Sequence, residues 1–279
     1  MEIAAIASAM TYAGPVNDAN LKFLRQCMDI ACDMHESVET LRKVGYSDEA
    51  IAEAVEKVRP RGNALESGLA PPLIRRNPPK LRKIDTDLFD AYTLENFLSD
   101  GECAKLASLI GHHLRPSKLG YGYSDTAMRT STTAELCHLK APAALAIDEK
   151  ICKTLGIRVS YSEGISAQRY DVGQQFRGHH DYFTPGTDQY NRVAGIRGNR
   201  TWTFMVYLND GMEGGATRFI KLNHAVAPKK GMALFWNNLK PDGSPNENTL
   251  HAGEPVTAGH KIIITKWFRV HGDGPVFHE

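Results

Sequence analysis

The amino-acid sequence predicts an α+β fold in which helical segments precede a jelly-roll-like core of antiparallel strands. From Gly164 onward, short segments rich in β-branched and aromatic residues are separated by Gly, Asn and Pro turns, a pattern typical of strands. No helical pattern lies between these segments, so the strands are expected to form an antiparallel sandwich or barrel. Before Gly164, apolar residues recur at spacings suited to amphipathic helices.

The N-terminal part of the chain is predicted to be helical. Residues 19–44 place apolar side chains on one helical face, and residues 46–58 include Ser47, whose side chain is suited to cap a helix. Residues 59–83 are rich in Pro, Gly and Arg and are expected to be an extended linker, because proline interrupts helices. We therefore treat residues 1–75 as a helical region and linker.

Two further amphipathic helices are predicted before the strands, in residues 93–114 and 141–156. Residues 76–279 are therefore expected to form a second domain with the jelly-roll core. The five cysteines form no Cys-x-x-Cys pair, which favours reduced thiols over a disulfide framework or a structural zinc site. With no recognisable signal peptide, this predicts a cytoplasmic protein. The cysteines are Cys27, Cys32, Cys103, Cys137 and Cys152.

Charge and hydropathy narrow the class of partner. Lys and Arg number 33, and Asp and Glu number 32, which leaves a formal net charge of +1. Such a chain exerts no long-range attraction on nucleic acid or on an anionic membrane. No segment approaches the roughly 20 apolar residues that a membrane-spanning helix needs. We expect neither nucleic acid nor a membrane as a partner.

The segment FRGHHDYFTPG, residues 176–186, contains two adjacent histidines and a carboxylate. Residues i and i+2 of a strand point to the same side, so His179 and Asp181 can converge while His180 faces away. Two histidines and one carboxylate on one face of an octahedron form the metal site of non-haem Fe(II) oxygenases. The second histidine would come from a distant strand, and the downstream candidates are His224, His251, His260, His271 and His278.

Lys261 suggests what such a metal site would serve. It begins KIIITKWFRV, the most hydrophobic predicted strand, where an unpaired lysine is costly to bury. A dicarboxylate cosubstrate that chelates the metal at one end would supply the missing negative charge at the other. The combination therefore indicates a site for 2-oxoglutarate.

Several segments, in this order, carry a resemblance to a known family: MRTSTTAEL, RYDVGQQFRGHHD, RTWTFMVYLND, PKKGMALFWNN and LHAGEPVTAGHKIIITKW. The run from residue 165 to residue 270 resembles the catalytic core of the prolyl 4-hydroxylase family of Fe(II)/2-oxoglutarate-dependent dioxygenases. The resemblance implies a double-stranded β-helix, which agrees with the jelly roll predicted from the strand pattern. It does not extend to the N-terminal helical region.

The resemblance also implies roles for nine residues. Three would bind Fe(II) and form the catalytic centre: His179, Asp181 and His251. Three would hold 2-oxoglutarate: Tyr170, Thr203 and Lys261. Three would face the substrate: Arg129, Arg200 and Trp267. The implied cofactors are Fe(II), 2-oxoglutarate as cosubstrate, O2, and ascorbate as reductant. The loop near Arg129 and the Gly-rich residues 184–200 are expected to close over the target.

Two positions depart from the family pattern, both on the substrate side. Phe176 stands where the family usually has Tyr, so a hydroxyl contact to the substrate is missing. Arg269 stands where family members often have His two residues after the tryptophan.

The implied activity is hydroxylation of an unactivated C–H bond, with release of succinate and CO2. The preferred target is the 4-position of a prolyl residue in a peptide or protein, and the alternative is a free amino acid or another small molecule. Zinc hydrolases also use two histidines and a carboxylate, and a non-catalytic binding module on the same fold is a further alternative. The N-terminal helices are expected to act as a helical cap or to mediate a dimer.

Overall fold

A computed structural model of the chain describes residues 14–29, 34–59, 71–117, 128–136, 141–274 and 276–277. Cys32, Cys137 and linker residues 60–70 lie outside this described part. The predicted α+β class and jelly-roll architecture are confirmed, because antiparallel sheets form the core and helices pack around them. No helix in the described ranges has the length and apolar character needed to cross a membrane.

Eight strands build the larger sheet. They are β1 (Leu81–Lys83), β2 (Ala91–Leu94), β3 (Arg115–Pro116), β4 (Thr132–Glu135), β5 (Ser166–Tyr170), β7 (Arg200–Tyr207), β11 (Ala233–Asn237) and β14 (Lys261–Arg269). Their order across the sheet is β1-β2-β11-β7-β14-β5-β4-β3, and all neighbours are antiparallel.

Four strands build the smaller sheet, and two more form a separate ribbon. The sheet contains β6 (Phe176–His179), β9 (Thr217–Phe219), β10 (His224–Val226) and β12 (His251–Gly253) in the order β10-β9-β12-β6. The ribbon pairs β8 (Glu213–Gly214) with β13 (Val256–Ala258). Apolar side chains of the two sheets meet in one buried cluster, in which Phe219 packs edge-on against Trp236 with ring centroids 5.3 Å apart.

The central strand β14 divides its side chains between two layers. Alternate residues starting at Lys261 line a cleft on the face toward the smaller sheet. The residues between them, starting at Ile262, point to the opposite face, where Ile262, Ile264 and Phe268 join the core beneath the helices. This period of two is the normal geometry of a strand, and it brings a lysine into the cleft without breaking the apolar layer behind it.

Two helices cover the outer face of the larger sheet: α5 (Asp100–Gly111) and α6 (Pro142–Leu155). Both were predicted, over slightly wider ranges. Helix α5 begins later than predicted because Ser99 and Glu102 form a capping box, in which each side chain accepts a hydrogen bond from the other residue's backbone N–H. The preceding residues Ala91–Leu94 pair in the sheet instead.

The N-terminal helices pack on one another and on the oxygenase-like core. They are α1 (Asp18–Asp29), α2 (Met34–Val44) and α3 (Asp48–Val58), and Ser47 caps α3 as predicted, its hydroxyl accepting from Ala50 N at 3.2 Å. Their apolar cluster also takes in Ile196 from helix α7 (Asp188–Arg197). Arg59 donates a hydrogen bond to Gly195 O in the same helix at 3.4 Å.

Two segments expected to be irregular contain regular structure. The predicted linker includes helix α4 (Pro72–Arg76), because proline is compatible with the first turn of a helix, and strand β1, which pairs with β2. The Gly-rich residues 184–200 contain α7 rather than an open loop. Thr187 starts that helix by accepting a hydrogen bond from Tyr190 N at 3.1 Å, and Gly198 ends it with a φ of 69°.

Candidate active site

Three potential metal ligands converge where β6 and β12 pair. His179 and His251 are direct cross-strand neighbours, and Asp181 follows His179 by two residues. Nε2 of His179 lies 3.8 Å from Oδ1 of Asp181, and Nε2 of His251 lies 3.8 Å from Oδ2. One ligand atom from each residue lies within 4.8 Å of the others, close enough to share one metal ion.

Backbone carbonyls orient both imidazoles. Nδ1 of His179 is 2.8 Å from Arg177 O, and Nδ1 of His251 is 2.9 Å from Thr249 O. Because a carbonyl oxygen can only accept, each Nδ1 carries the hydrogen and each Nε2 keeps a free lone pair facing Asp181. Burial, reinforced by the neighbouring His251, lowers the pKa of His179, so that its ring is neutral as a metal ligand must be.

His180 is not part of this group. Its Nε2 lies 3.2 Å from Glu247 O, and its ring stacks on Tyr182 with centroids 4.5 Å apart. It points away from the cleft, as the alternation of a strand predicts, and burial lowers its pKa. The histidine pair in the sequence therefore divides into one candidate ligand and one side chain with a packing role.

Thr203 lies on the metal side, whereas the resemblance implied a contact with 2-oxoglutarate. Its hydroxyl donates to Oδ2 of Asp181 at 2.7 Å and accepts from Nδ2 of Asn238 at 2.8 Å. Both hydrogen bonds are buried, and Thr203 is not among the side chains that line the cleft. The hydrogen bonds of Thr203 hold the candidate ligand Asp181 in place, and they favour this role over the contact with 2-oxoglutarate that the resemblance implied.

Lys261 is a buried cation that forms no ion pair in the described part of the chain, although the Glu254 carboxylate acts on it from a distance. The Lys261 side chain is 1% exposed, its Nζ donates to Gly215 O at 2.8 Å, and the ammonium lies 4.6 Å from the centroid of the Tyr170 ring. Burial lowers the pKa of Lys261 to about 8. Such an ammonium is stabilised by a bound carboxylate, so the donor set fits the far end of a dicarboxylate.

The candidate ligands and Lys261 open into one cleft. Its wall combines aromatic and apolar side chains with a few polar groups, as small-molecule sites usually do. The lining residues used below are Arg129, Tyr170, Phe176, Thr217, Gly253 and Trp267. A methyl group added to Gly253 would lie 3.5 Å from the Lys261 ammonium, so the glycine keeps space open beside the cation.

Arg200 and Trp267 form one unit at the edge of the cleft. The Arg200 guanidinium lies over the Trp267 ring at 3.9 Å and makes two hydrogen bonds to the Glu163 carboxylate, of 2.8 and 2.7 Å. It also donates to the backbone oxygen of Asp181 at 3.4 Å. Trp267 lines the cleft, whereas Arg200 stands behind it. The structure therefore brings the two predicted residues together, and Trp267 rather than Arg200 faces the cleft.

Arg129 lies in the cleft wall beside Tyr170 and Phe176. Its Cζ is 4.9 Å from the centroid of the Phe176 ring, and its guanidinium hydrogen-bonds the Tyr170 hydroxyl. The predicted residue is thus in the cleft, next to the residues expected around the cosubstrate.

Several residues at the site were not predicted from the sequence. Thr217 lines the cleft, and its hydroxyl accepts a hydrogen bond from Tyr207 at 2.8 Å. Glu163 holds both Arg200 and Arg269, and Asn238 supports Thr203. Their signal in the sequence is weak, because each is a single polar residue whose partners lie on other strands.

Comparison with known proteins places this geometry in a family. Residues 165–269 match the family model of the 2OG-Fe(II) oxygenase superfamily. The chain is 34% identical over 205 residues to prolyl 4-hydroxylase 5 of Arabidopsis thaliana, which covers 65% of this chain and 68% of the relative. It is also 34% identical over 181 residues to prolyl 4-hydroxylase subunit alpha-3 of Mus musculus, covering 63% of this chain. It spans 33% of the length of that mouse relative.

A solved structure shows the same fold. The viral collagen prolyl hydroxylase of Paramecium Bursaria Chlorella virus-1, in its 2OG complex, matches with a TM-score of 0.50 and 25% sequence identity. The match covers 64% of this chain and 95% of the viral one. With the cleft, its two histidines and its carboxylate, these similarities show that the chain belongs to the prolyl 4-hydroxylase family of 2OG-Fe(II) oxygenases.

Proposed function

We propose that this protein is an Fe(II)- and 2-oxoglutarate-dependent dioxygenase that hydroxylates a prolyl residue at its 4-position in a peptide or protein. One observation carries the proposal: the cleft holds two histidines and a carboxylate at metal-ligand distances, and it also holds the buried ammonium of Lys261. A metal site alone fits several chemistries. A metal site that shares a cleft with a buried cation in no ion pair fits a chelating dicarboxylate.

His179, Asp181 and His251 would hold Fe(II), leaving positions open for 2-oxoglutarate and O2. When bound, iron and cosubstrate supply an oxidation that puts one oxygen atom of O2 into the C–H bond and the other into succinate, with loss of CO2. The protein's own contribution is orientation. Thr203 donates to Oδ2 of Asp181, and the backbone carbonyls hold the two imidazoles.

The distal carboxylate of 2-oxoglutarate would lie among Lys261, Tyr170 and Thr217. Tyr207 donates its hydroxyl hydrogen to Thr217 Oγ1, so the Thr217 hydroxyl keeps its own hydrogen for a ligand in the cleft. Lys261 supplies the positive charge. We therefore assign Thr217 to the role that the resemblance implied for Thr203.

The substrate would lie at the end of the cleft that Trp267 lines. The Trp267 indole N–H is buried and has no acceptor among the residues that the structure describes, so it can donate to a carbonyl of a peptide. Arg200 stacks on that ring and is held by Glu163. We propose that Arg200 positions Trp267.

The finer predictions remain proposals. In the described part of the chain Cys103 and Cys152 are free thiols, which supports a reducing, cytoplasmic location. Ascorbate is the proposed reductant that keeps the iron ferrous. The apolar cluster of α1–α3, which takes in only Ile196 from the rest of the described chain, supports treating residues 1–75 as a unit distinct from residues 76–279. Dimerisation through these helices stays a prediction, and Val44, which is 50% exposed, is the apolar side chain there that a partner could cover.

Hydroxylation of a free amino acid or another small molecule is the second candidate substrate class, and Phe176 favours it because it replaces the family's tyrosine. A zinc hydrolase would not need Lys261 in its cleft, and a binding module would not turn over 2-oxoglutarate.

The test incubates the protein with Fe(II), ascorbate, 2-oxoglutarate and a library of proline-containing peptides. We expect succinate together with peptides heavier by one oxygen atom. Succinate without a modified peptide would exclude prolyl peptides as substrates.

Replacing a candidate ligand should abolish both metal binding and turnover. For His179→Ala we expect loss of bound iron and of substrate-stimulated succinate formation, because one of three ligands is removed. Metal content after anaerobic loading and succinate by mass spectrometry measure the two effects. His180→Ala is the matched control and should keep its iron. Loss of iron from the control and not from His179→Ala would show that the wrong imidazole was chosen.

Affinity for 2-oxoglutarate should depend on pH through Lys261. Its pKa is about 8, so the amine carries the charge below that pH and loses it as the pH rises through it. We therefore expect the dissociation constant of 2-oxoglutarate to increase above this pKa. Lys261→Met should raise that constant by about tenfold or more, the size of a lost charge-assisted hydrogen bond, and should remove this pH step. Exposed Lys240→Met is the control, and an unchanged pH step in Lys261→Met would assign the titration to another group.

Thr203 and Thr217 should have opposite effects when each is replaced by valine. Thr203→Val removes the hydrogen bond to Asp181, so we expect metal affinity to fall by about 10- to 100-fold, as for other groups that orient metal ligands. The Michaelis constant for 2-oxoglutarate, measured with saturating iron, should change little. Thr217→Val should instead raise that constant and leave iron affinity intact. The reverse pattern would restore Thr203 to the cosubstrate side.

A further inference from the structure

Arg129 occupies the junction between the candidate metal site and the cosubstrate pocket. It pairs with Phe176 through an isolated antiparallel bridge just before β4, and its guanidinium lies 4.9 Å from the centroid of the Phe176 ring. The Phe176 ring also stacks on the His179 imidazole, with centroids 3.5 Å apart and planes 15° apart. The Phe176 ring therefore contacts both the Arg129 guanidinium and the candidate metal ligand His179.

The same guanidinium also reaches the cosubstrate side. It hydrogen-bonds the Tyr170 hydroxyl, and the face of the Tyr170 ring carries the Lys261 ammonium at 4.6 Å. Two hydroxyls fix the guanidinium from behind: Nε donates to Ser131 Oγ at 3.1 Å and Nη2 donates to Thr133 Oγ1 at 3.3 Å. Ser131 and Thr133, which closely follow Arg129 in the chain, thus hold its guanidinium beside Tyr170.

The direction of these hydrogen bonds decides what Tyr170 can do. A guanidinium only donates, so the phenolic oxygen of Tyr170 must accept from Arg129. The Ser131 hydroxyl also hydrogen-bonds the phenol, and both contacts oppose the rise in the pKa of Tyr170 that burial causes, as donors to the phenolic oxygen do. Tyr170 therefore keeps its own O–H to donate to a ligand acceptor in the cleft that it lines. No carboxylate pairs with Arg129 in the described part of the chain, so its charge acts on this phenol and on the neighbouring cleft.

We propose that Arg129 is a positioning residue for 2-oxoglutarate, which orients the Tyr170 hydroxyl toward the distal carboxylate and holds Phe176 against His179. The inference rests on the proposed function, because it concerns the same cosubstrate. It departs from the role that the resemblance implied, in which Arg129 contacts the substrate. The two roles differ in one measurable respect: a residue that only contacts the substrate has no effect on cosubstrate binding when substrate is absent.

The test therefore measures 2-oxoglutarate binding without any peptide. Iron-loaded protein is titrated anaerobically with 2-oxoglutarate, and the dissociation constant is read from the visible charge-transfer absorption of the complex. For Arg129→Met we expect that constant to rise by about tenfold, the size of one lost charge-assisted hydrogen bond. Arg129→Lys keeps the charge and should lose about threefold, because a lysine cannot reproduce the planar fork. Arg115→Met removes an exposed arginine from the neighbouring strand β3 and is the control.

A double-mutant cycle with Tyr170→Phe identifies the route of the effect. If Arg129 acts through the phenol, Arg129→Met should change 2-oxoglutarate affinity less than twofold once Tyr170→Phe is present, since coupled residues are not additive. Iron content and the thermal unfolding midpoint of each variant show whether it is folded, and Arg129→Lys carries the test should Arg129→Met unfold. Wild-type affinity in a folded Arg129 variant, or full additivity with Tyr170→Phe, would overturn the inference. Failure of the wild-type protein to bind 2-oxoglutarate would instead refute the proposed function.

Discussion

The irregular pairing of β6 with β12 is the constraint on which the site depends. His251 lies opposite His179 and Gly253 lies opposite Phe176, so three steps on β6 match two steps on β12. This is the geometry of a β-bulge, in which one strand accommodates an extra residue. In a regular strand, Phe176 and His179 would point to opposite faces. Because of the bulge both line the cleft, and their rings stack.

The larger sheet supplies the other half of the site through the register of β14. Lys261 at the start of the strand pairs with Tyr170, and Trp267 near its end pairs with Thr203. One strand thus carries the cation at the cosubstrate end and the indole at the substrate end, with Ile263 between them on the same face. A shift of one residue in this register would turn Lys261 into the apolar layer beneath the helices and empty the cleft of its charge.

The sequence was informative where one element determined the geometry. Strand alternation separated His179 from His180, and the cost of burying Lys261 indicated its ligand. The sequence was uninformative about hydrogen bonds between residues that lie far apart in the chain. Thr203 is an example, because Asn238, 35 residues away, donates to its hydroxyl. Helix α7 was missed because its glycines resemble a loop, although Thr187 provides the cap that starts it. A bulge leaves no trace in a pattern of period two.

The departure at Arg269 has a structural explanation. Its guanidinium donates to Glu163 at 2.8 Å and to Val193 O of α7 at 2.6 Å, and it is 3% exposed. Burial alone would raise the pKa of Glu163, but Arg200 and Arg269 together lower it, so the carboxylate stays charged and holds both cations.

A histidine in place of Arg269 would be shorter and has fewer N–H donors, so it could not hydrogen-bond both Glu163 and the Val193 carbonyl of α7. Arg269 therefore connects the arginine behind Trp267 to the helix on which Ile196 meets the N-terminal helices. The N-terminal region, which the family resemblance does not cover, is in this way tied by packing and by a buried ion pair to the substrate end of the cleft.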